Sequence, residues 1–373
     1  MNVPKPQFSA PSWLTDAHAA AADRVRRLAT THGAAYLHAT EAGRYPLDLA
    51  WWWTSGFWPG LLNLLTKEDT DPRLAALALQ AENGLTALLD HDWFEELHHD
   101  VGFQFQPTAV MRHKLTSAPD ARRRGLVAAH LLMGRFNVAG GVIEAWNGEA
   151  KRGHSIIDTL MNLPLLFWAT ETSGEPRFAN LARAHLASAI TEFIRDDDTT
   201  HHVVVFDQMT GDRVEALGGQ GAAPDSAWSR GMAWAIYGLA IAARYTGDPA
   251  YRTRSRAVAD RFLALNDPHG VPPWDFRAPD AATAPRDSSA GAAAACGLLE
   301  LADLGDPAAH GQALALVETL TERCAMPASG DGLLAHATGK LPQGQFIDVS
   351  LIYGDYYYFE ALQRFAGLKE TCW

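Results

Sequence analysis

Helical segments of two kinds alternate along this chain, and that alternation limits its fold more than any other feature. One kind opens with a proline suited to a first helical turn, at Asp71-Pro72, Pro119, Glu175-Pro176, Asp248-Pro249 and Asp306-Pro307. In PRFANLARAHLASAITEFI, residues 176–194, Phe178, Leu181, Ala182, Leu186, Ala189, Ile190 and Phe193 share one face, with Asn180, Arg183, Ser188 and Thr191 opposite. That is a helix with one side in water. The other kind is apolar nearly all round, as in AWAIYGLAIAA at 233–243 and SAGAAAACGLLELADL at 289–304. A helix without a polar face must be surrounded by protein. Such segments start at Thr54, Asp100, Asp158, Ser226, Asp287 and Ser350. With a first amphipathic helix near 15–31, the chain reads as six outer and six inner helices in turn. Apolar inner helices at both chain ends favour closure over an open solenoid, so the expectation is all-α: an (α/α)6 barrel, a single domain over 1–373, with an irregular segment at 1–14. VVVF at 203–206 is the best strand candidate.

In such a barrel every inner helix begins at the same end. All six starting residues are Thr, Asp or Ser, good N-caps, so each is expected to cap its helix. One of them raises a question. Asp158 opens the apolar run HSIIDTLMNLPLLFWAT with no Lys or Arg within five residues. Burying an unpaired carboxylate is costly, so it pairs with a distant group, holds a proton, or caps. Asp100 starts the preceding inner helix, in HHDVGFQF, and the loop between the two carries GGVIEAWN with Trp146 as a wall. Two carboxylates at one apolar-walled site cannot both ionise freely, which leaves a proton donor beside an anion. That is the usual equipment for glycoside chemistry.

GGQGAAPDSAWSRGMAWAIYGLA at 218–240 is the next dense stretch. Gln220 lies in its loop, and Arg230 and Trp234, four apart, share one side of the helix. The guanidinium there either meets an anionic sugar or forms a salt bridge to one of the aspartates. His202, in THHVVVFD, falls on a short extended loop and could position a water. No Gly-x-Ser-x-Gly elbow, phosphate loop, paired-cysteine site or HExxH helix is present, so no cofactor and no metal are expected.

The net charge of −12 argues against a nucleic-acid partner. Three scattered cysteines argue against a disulfide framework, and no run is long enough to span a bilayer. With no secretion signal at the start, the expectation is a cytoplasmic protein without a membrane partner; homo-oligomerisation is left open. The twelve tryptophans, many beside Gly, Asp or Arg, suit a cleft walled by flat aromatic faces.

IIDTLMNLPLLFWA, DSAWSRGMAWAIYGLA, PPWDF, RDSSAGAAAACGLLEL and SLIYGDYYYFEAL, with WTSGFWPG at 53–60 and HHDVGF at 98–103, resemble the unsaturated glucuronyl hydrolases, glycoside hydrolase family 88. The matches run from about residue 53 to 364 in the family's order. The resemblance implies the same barrel. It also implies removal of a Δ4,5-unsaturated uronic acid from the non-reducing end of lyase-made oligosaccharides, by acid-catalysed hydration of the C4=C5 bond. It makes Asp158 the acid and Asp100 its partner carboxylate, puts His202, Gln220, Arg230 and Trp234 around the unsaturated ring, and makes Trp53, Trp58 and Trp146 the aromatic walls. Met232 stands where the family commonly has Gln, and Gly218 and Gly219 where Thr or Ser is expected; both departures bear on subsite contacts. The rival readings are an unsaturated rhamnogalacturonyl hydrolase, a sugar epimerase, and a non-catalytic sugar-binding protein on the same barrel.

Overall fold

The structure, a computed structural model, describes residues 11–89, 97–267 and 269–373. The outer helices are α1 (Ser12–His32), α3 (Pro72–Leu88), α5 (Pro119–Met133), α7 (Pro176–Glu192), α9 (Pro249–Leu265) and α11 (Ala309–Cys324). Four of them start on the proline read from sequence. The fixed φ of proline suits a first turn whose N–H would be unpaired anyway. Asp71 and Asp248 add side-chain caps, accepting from the Arg73 and Ala250 N–H groups at 2.9 Å each. The last begins two residues after Pro307, because the Asp306 carboxylate accepts from the Ala308 and Ala309 N–H groups instead. Residues 12–14, expected to be irregular, are the first residues of α1, and residues 1–10 lie outside the described part.

The inner helices are α2 (Phe57–Leu65), α4, α6 (Pro164–Ser173), α8 (Ser229–Thr246), α10 (Ser288–Asp303) and α12 (Ile352–Phe365). α4 has three parts: Val101–Phe105, a π-helical turn Gln106–Val110, and Met111–Thr116. Pro107 explains the middle part, since proline cannot donate within an α-helical ladder and widens the turn it occupies. Each inner helix packs on the next, and α12 returns to pack on α2, so the ring is closed. The outer helices cover it, burying residues such as Phe178, Ala182, Leu186 and Ala189 of α7. No helix among the described residues is long and apolar enough to cross a membrane.

The capping expectation holds at one inner helix only. Asp287 caps α10, accepting from the Ser289 N–H at 3.2 Å. α2, α8 and α12 begin two or three residues beyond Thr54, Ser226 and Ser350, and Asp100 precedes α4 without capping it through its side chain. Asp158 caps nothing; it is inside a 3-10 turn, Ile157–Met161, that leads into α6. Tight turns at the barrel mouth leave these side chains free to point elsewhere.

At the mouth, short strands supplement the helices among the described residues: β1 (Phe136–Asn137), β2 (Val142–Ile143), β3 (His154–Ile156), β4 (Val203–Phe206) and β5 (Arg213–Leu217). β4 is the VVVF segment. It is central in an antiparallel β3-β4-β5 sheet, pairing Ile156 with Val203 and His154 with Val205.

Candidate active site

The β3-β4 register fixes the first pair of the site. Asp158 lies two residues beyond the end of β3, and His202 immediately precedes β4. The Ile157 N–H donates to the His202 carbonyl at 3.0 Å, which extends the ladder by one step. His202 Nε2 comes to 3.5 Å from Asp158 Oδ2. The Gln220 N–H donates to His202 Nδ1 at 2.7 Å, and burial, aided by the charge of Arg230, lowers the ring to about 3. The imidazole is therefore neutral with its proton on Nε2, facing the carboxyl group.

Asp100 is held beside Asp158 by two ties between α4 and the 3-10 turn. Asn162 accepts from the Phe103 N–H at 2.9 Å, and His99 Nδ1 is 3.1 Å from Thr159 Oγ1. Gly102 permits this approach, since a Cβ there would fall 2.2 Å from Asn162 Oδ1. The two carboxyl groups then diverge in charge. Burial pushes Asp158 up to about 7, and the nearby Asp100 charge pushes the same way, against Arg230 and the Trp234 indole. Burial would raise Asp100 too, but His99 and His98, 3.3 and 3.0 Å from its oxygens, outweigh it and hold the group below the usual carboxylate range. The outcome is a protonated acid beside an anion.

Both carboxyl groups line a cleft of about 380 Å3, together with Trp52, Trp53, His98, Trp146, Lys151, Ile156, His202, Gly219, Gln220, Lys340, Gln343 and Gln345. Of the residues expected from sequence, Asp158, Asp100, His202, Gln220, Trp53 and Trp146 are brought together here. Three are not. Trp58 is fully buried in the core, its indole N–H donating to the Gly33 carbonyl at 2.9 Å. Trp234 is likewise buried, packed on Phe103 behind Asp158. Arg230 is 1% exposed and ion-paired with Asp287, and it also donates to Thr338 O at 2.8 Å, Gly339 O at 2.7 Å and Gln220 Oε1 at 2.9 Å. With both terminal nitrogens engaged by protein groups, it is a strut beneath Gln220, and of the two readings the salt bridge, to Asp287, is present in the structure.

Sequence reasoning missed Trp52, His98, Lys151, Lys340 and the two glutamines. The lysines each lie over a lining indole, Lys340 4.8 Å from Trp52 and Lys151 5.2 Å from Trp146. Lys340, Gln343 and Gln345 belong to a hairpin closed by the Lys340–Gln345 bridge, a stretch that carried no motif. Gly219 could have been found. Its φ is +60°, and a Cβ there would fall 2.0 Å from His202 Nδ1, so glycine lets the loop deliver the Gln220 N–H to that atom.

No family model matches the chain. It is similar to an unsaturated glucuronyl hydrolase of Bacillus sp. strain GL1, 36% identical over 84% of this chain and 85% of that one. A second relative is an unsaturated chondroitin disaccharide hydrolase of Streptococcus pyogenes, 34% identical over 88% and 84%. The solved unsaturated glucuronyl hydrolase from Bacillus sp. GL1 superposes with a TM-score of 0.90 at 33% identity, covering 94% of this chain and 96% of that one. The chain belongs to the unsaturated glucuronyl hydrolases. It is thus a glycoside hydrolase on the expected (α/α)6 barrel, and the epimerase, rhamnogalacturonyl and non-catalytic readings give way. Within this family the Met232 departure is a matter of packing, because that side chain is fully buried.

Proposed function

We propose that Asp158 is the proton donor in removing a Δ4,5-unsaturated uronic acid from the non-reducing end of a lyase-made oligosaccharide. The observation that carries this reading is the split pair: Asp158 pushed up to about 7 while Asp100 stays anionic in the same cleft. The enol ether of the unsaturated ring takes the Asp158 proton at C4, leaving positive charge shared by C5 and the ring oxygen. The anionic Asp100 stabilises that charge. Water then bonds to C5 and gives a proton to the Asp158 carboxylate, which restores the acid. The C5 hemiketal opens to a ketone. C1 is left as a hemiacetal, whose collapse to an aldehyde releases the next sugar's hydroxyl.

His202, with its Nε2 proton toward Asp158, orients the carboxyl group and the incoming water. The Gln220 amide, steadied by Arg230, and the Lys340 ammonium receive the uronate carboxylate. Trp52, Trp53 and Trp146 wall the ring. The substrate class is the unsaturated uronyl disaccharide and its longer homologues. The three free, buried cysteines suit a reducing compartment, so the site of action proposed is the cytoplasm.

The test is loss of the substrate's ultraviolet absorbance. Asp158→Asn should slow it by roughly 100- to 10,000-fold, the scale of general acid catalysis, with an unchanged circular dichroism spectrum. In heavy water the unaltered enzyme should place deuterium at C4. Near-normal turnover by the variant, or a product without deuterium at C4, refutes the assignment.

A further inference from the structure

Asp158 and Thr159 are consecutive in a 3-10 turn and serve different sides of it. Asp158 lines the cleft; Thr159 is fully buried and meets the ring of His99, the residue before Asp100. His99 is likewise fully buried, and its backbone N–H donates to the Ala145 carbonyl at 3.1 Å. Thr159 Oγ1 is 3.1 Å from His99 Nδ1, and Asp100 Oδ1 is 3.3 Å from His99 Nε2. The imidazole thus bridges the two acid-bearing turns. Among the described residues the Thr159 hydroxyl has no other hydrogen-bond partner, and His99 Nε2 makes no hydrogen bond to any other group. Whatever Nε2 carries, proton or lone pair, is turned on Asp100.

A neutral imidazole carries one proton, and only one placement serves both contacts. With the proton on Nε2, the ring points a donor at Asp100 while Nδ1 accepts from the Thr159 hydroxyl. With the proton on Nδ1, the hydroxyl could accept it, but the Nε2 lone pair would then face a carboxylate oxygen inside the protein, which is costly. An imidazolium would also serve both contacts. Burial opposes it, lowering the ring below its ordinary range against the pull of Asp100, and the charges of His98 and Arg135 work the same way as burial.

We infer that Thr159 is a positioning residue for the reaction: its hydroxyl, donating to His99 Nδ1, sets the tautomer that keeps Asp100 an anion beside the acid. The inference rests on the acid–anion reading above and deepens it. The residue next to the proton donor thereby governs the charge of the donor's partner, through one ring. The other groups that face Asp100 do not supply this lock. His98 Nδ1 is 3.0 Å from Oδ2, but that ring is partly exposed where it lines the cleft, and no described group fixes its Nε2. Arg135 and Lys340 interact with Asp100 by charge alone, and Asp158 opposes its ionisation. On the side of Asp158 stand Arg230, the Trp234 indole and the neutral His202, none of which touches His99 Nδ1.

The test is the pH profile of kcat/KM on an unsaturated uronyl disaccharide for Thr159→Val, which keeps the shape of the side chain and removes the hydroxyl. Without that donor the ring can take its proton on Nδ1, and Asp100 then holds a proton toward Nε2. The variant should be slower by roughly 10- to 100-fold, the scale of one buried polar group left unpaired. Its alkaline limb should also move to lower pH, because the anion that helps to raise Asp158 is gone. Thr159→Ser should recover most of the rate and the original limb. In an Asp100→Asn background, Thr159→Val should move the limb no further, since its effect passes through Asp100. An unmoved limb in Thr159→Val, equal losses in the Val and Ser variants, or a full shift that persists in the Asp100→Asn background each overturns the inference. Nitrogen NMR of the histidine rings in the unaltered enzyme tests it without any variant that must fold: the proton of His99 should be on Nε2, and a proton on Nδ1 or on both nitrogens overturns it. Failure of the underlying reading looks different. Asp158→Asn would then turn over normally although His99 keeps its proton on Nε2, and the role of Thr159 in the reaction would fall with that reading.

Discussion

Asp158 and Asp100 are the same side chain in two environments, and their difference sets how activity responds to pH. In the proposed role Asp158 must be protonated to act, so kcat/KM should fall as pH rises through about 7. Asp100 must be ionised, and because the histidines hold it below the usual carboxylate range, no loss from it is expected between roughly pH 4 and 6. Part of the elevation of Asp158 comes from the charge of Asp100. Asp100→Asn should therefore lower residual activity and also move the alkaline limb to lower pH; a limb that stays put would show the two groups to be uncoupled. Gly219 makes a second prediction at this scale. Gly219→Ser puts a Cβ against His202 Nδ1, so His202 must shift and the Gln220 N–H must lose its acceptor. A displacement of about 1 Å at a site like this costs on the order of 100-fold in rate. Steady-state kinetics on the folded variant, at a temperature well below its melting transition, would register it.

Among the elements, the site depends on joints between helix starts more than on the helices themselves. Asn162 is such a joint. It accepts from the Phe103 N–H of α4 and donates to the Asp158 carbonyl at 3.3 Å, so it couples the two acid-bearing turns. Asn162→Ala leaves a buried N–H unpaired, a cost of about 1–3 kcal/mol, and frees Asp100 to move relative to Asp158. A lowered melting temperature together with a kcat that falls more than KM rises would bear this out; unchanged kcat would not. The outer-helix boundaries were legible because proline and aspartate act within one turn of chain. The inner-helix boundaries were not. Thr, Ser and Asp at a helix start suggest caps, yet at the barrel mouth loops from other hairpins compete for the same N–H and hydroxyl groups.

For the molecule as a whole, closing the inner helices into a ring gathers groups distant in the chain at one end. Burying them has a cost that depends on pH. Asp158 and Asp355 are both buried and both pushed up to about 7, chiefly by that burial, against about 3.9 in an unfolded chain. A raised carboxylate pKa contributes stability that is complete below about 4 and lost as pH rises through about 7. The melting temperature should thus decline between pH 5 and 8, and Asp158→Asn should flatten its share of the decline. A slope identical in the variant would contradict the burial. The alternation of two helix kinds, the paired aspartates of successive hairpins and the strand VVVF were readable in sequence, because apolar periodicity and chain order are local properties. Which indoles of the Trp51-Trp52-Trp53 run meet the cleft, that Trp58 turns into the core, that Arg230 is ion-paired with Asp287, and that Lys340 joins the lining were decided only by the tertiary structure. Each is a choice among partners tens to hundreds of residues away, made by packing and charge in a closed ring, and a linear pattern carries no record of it.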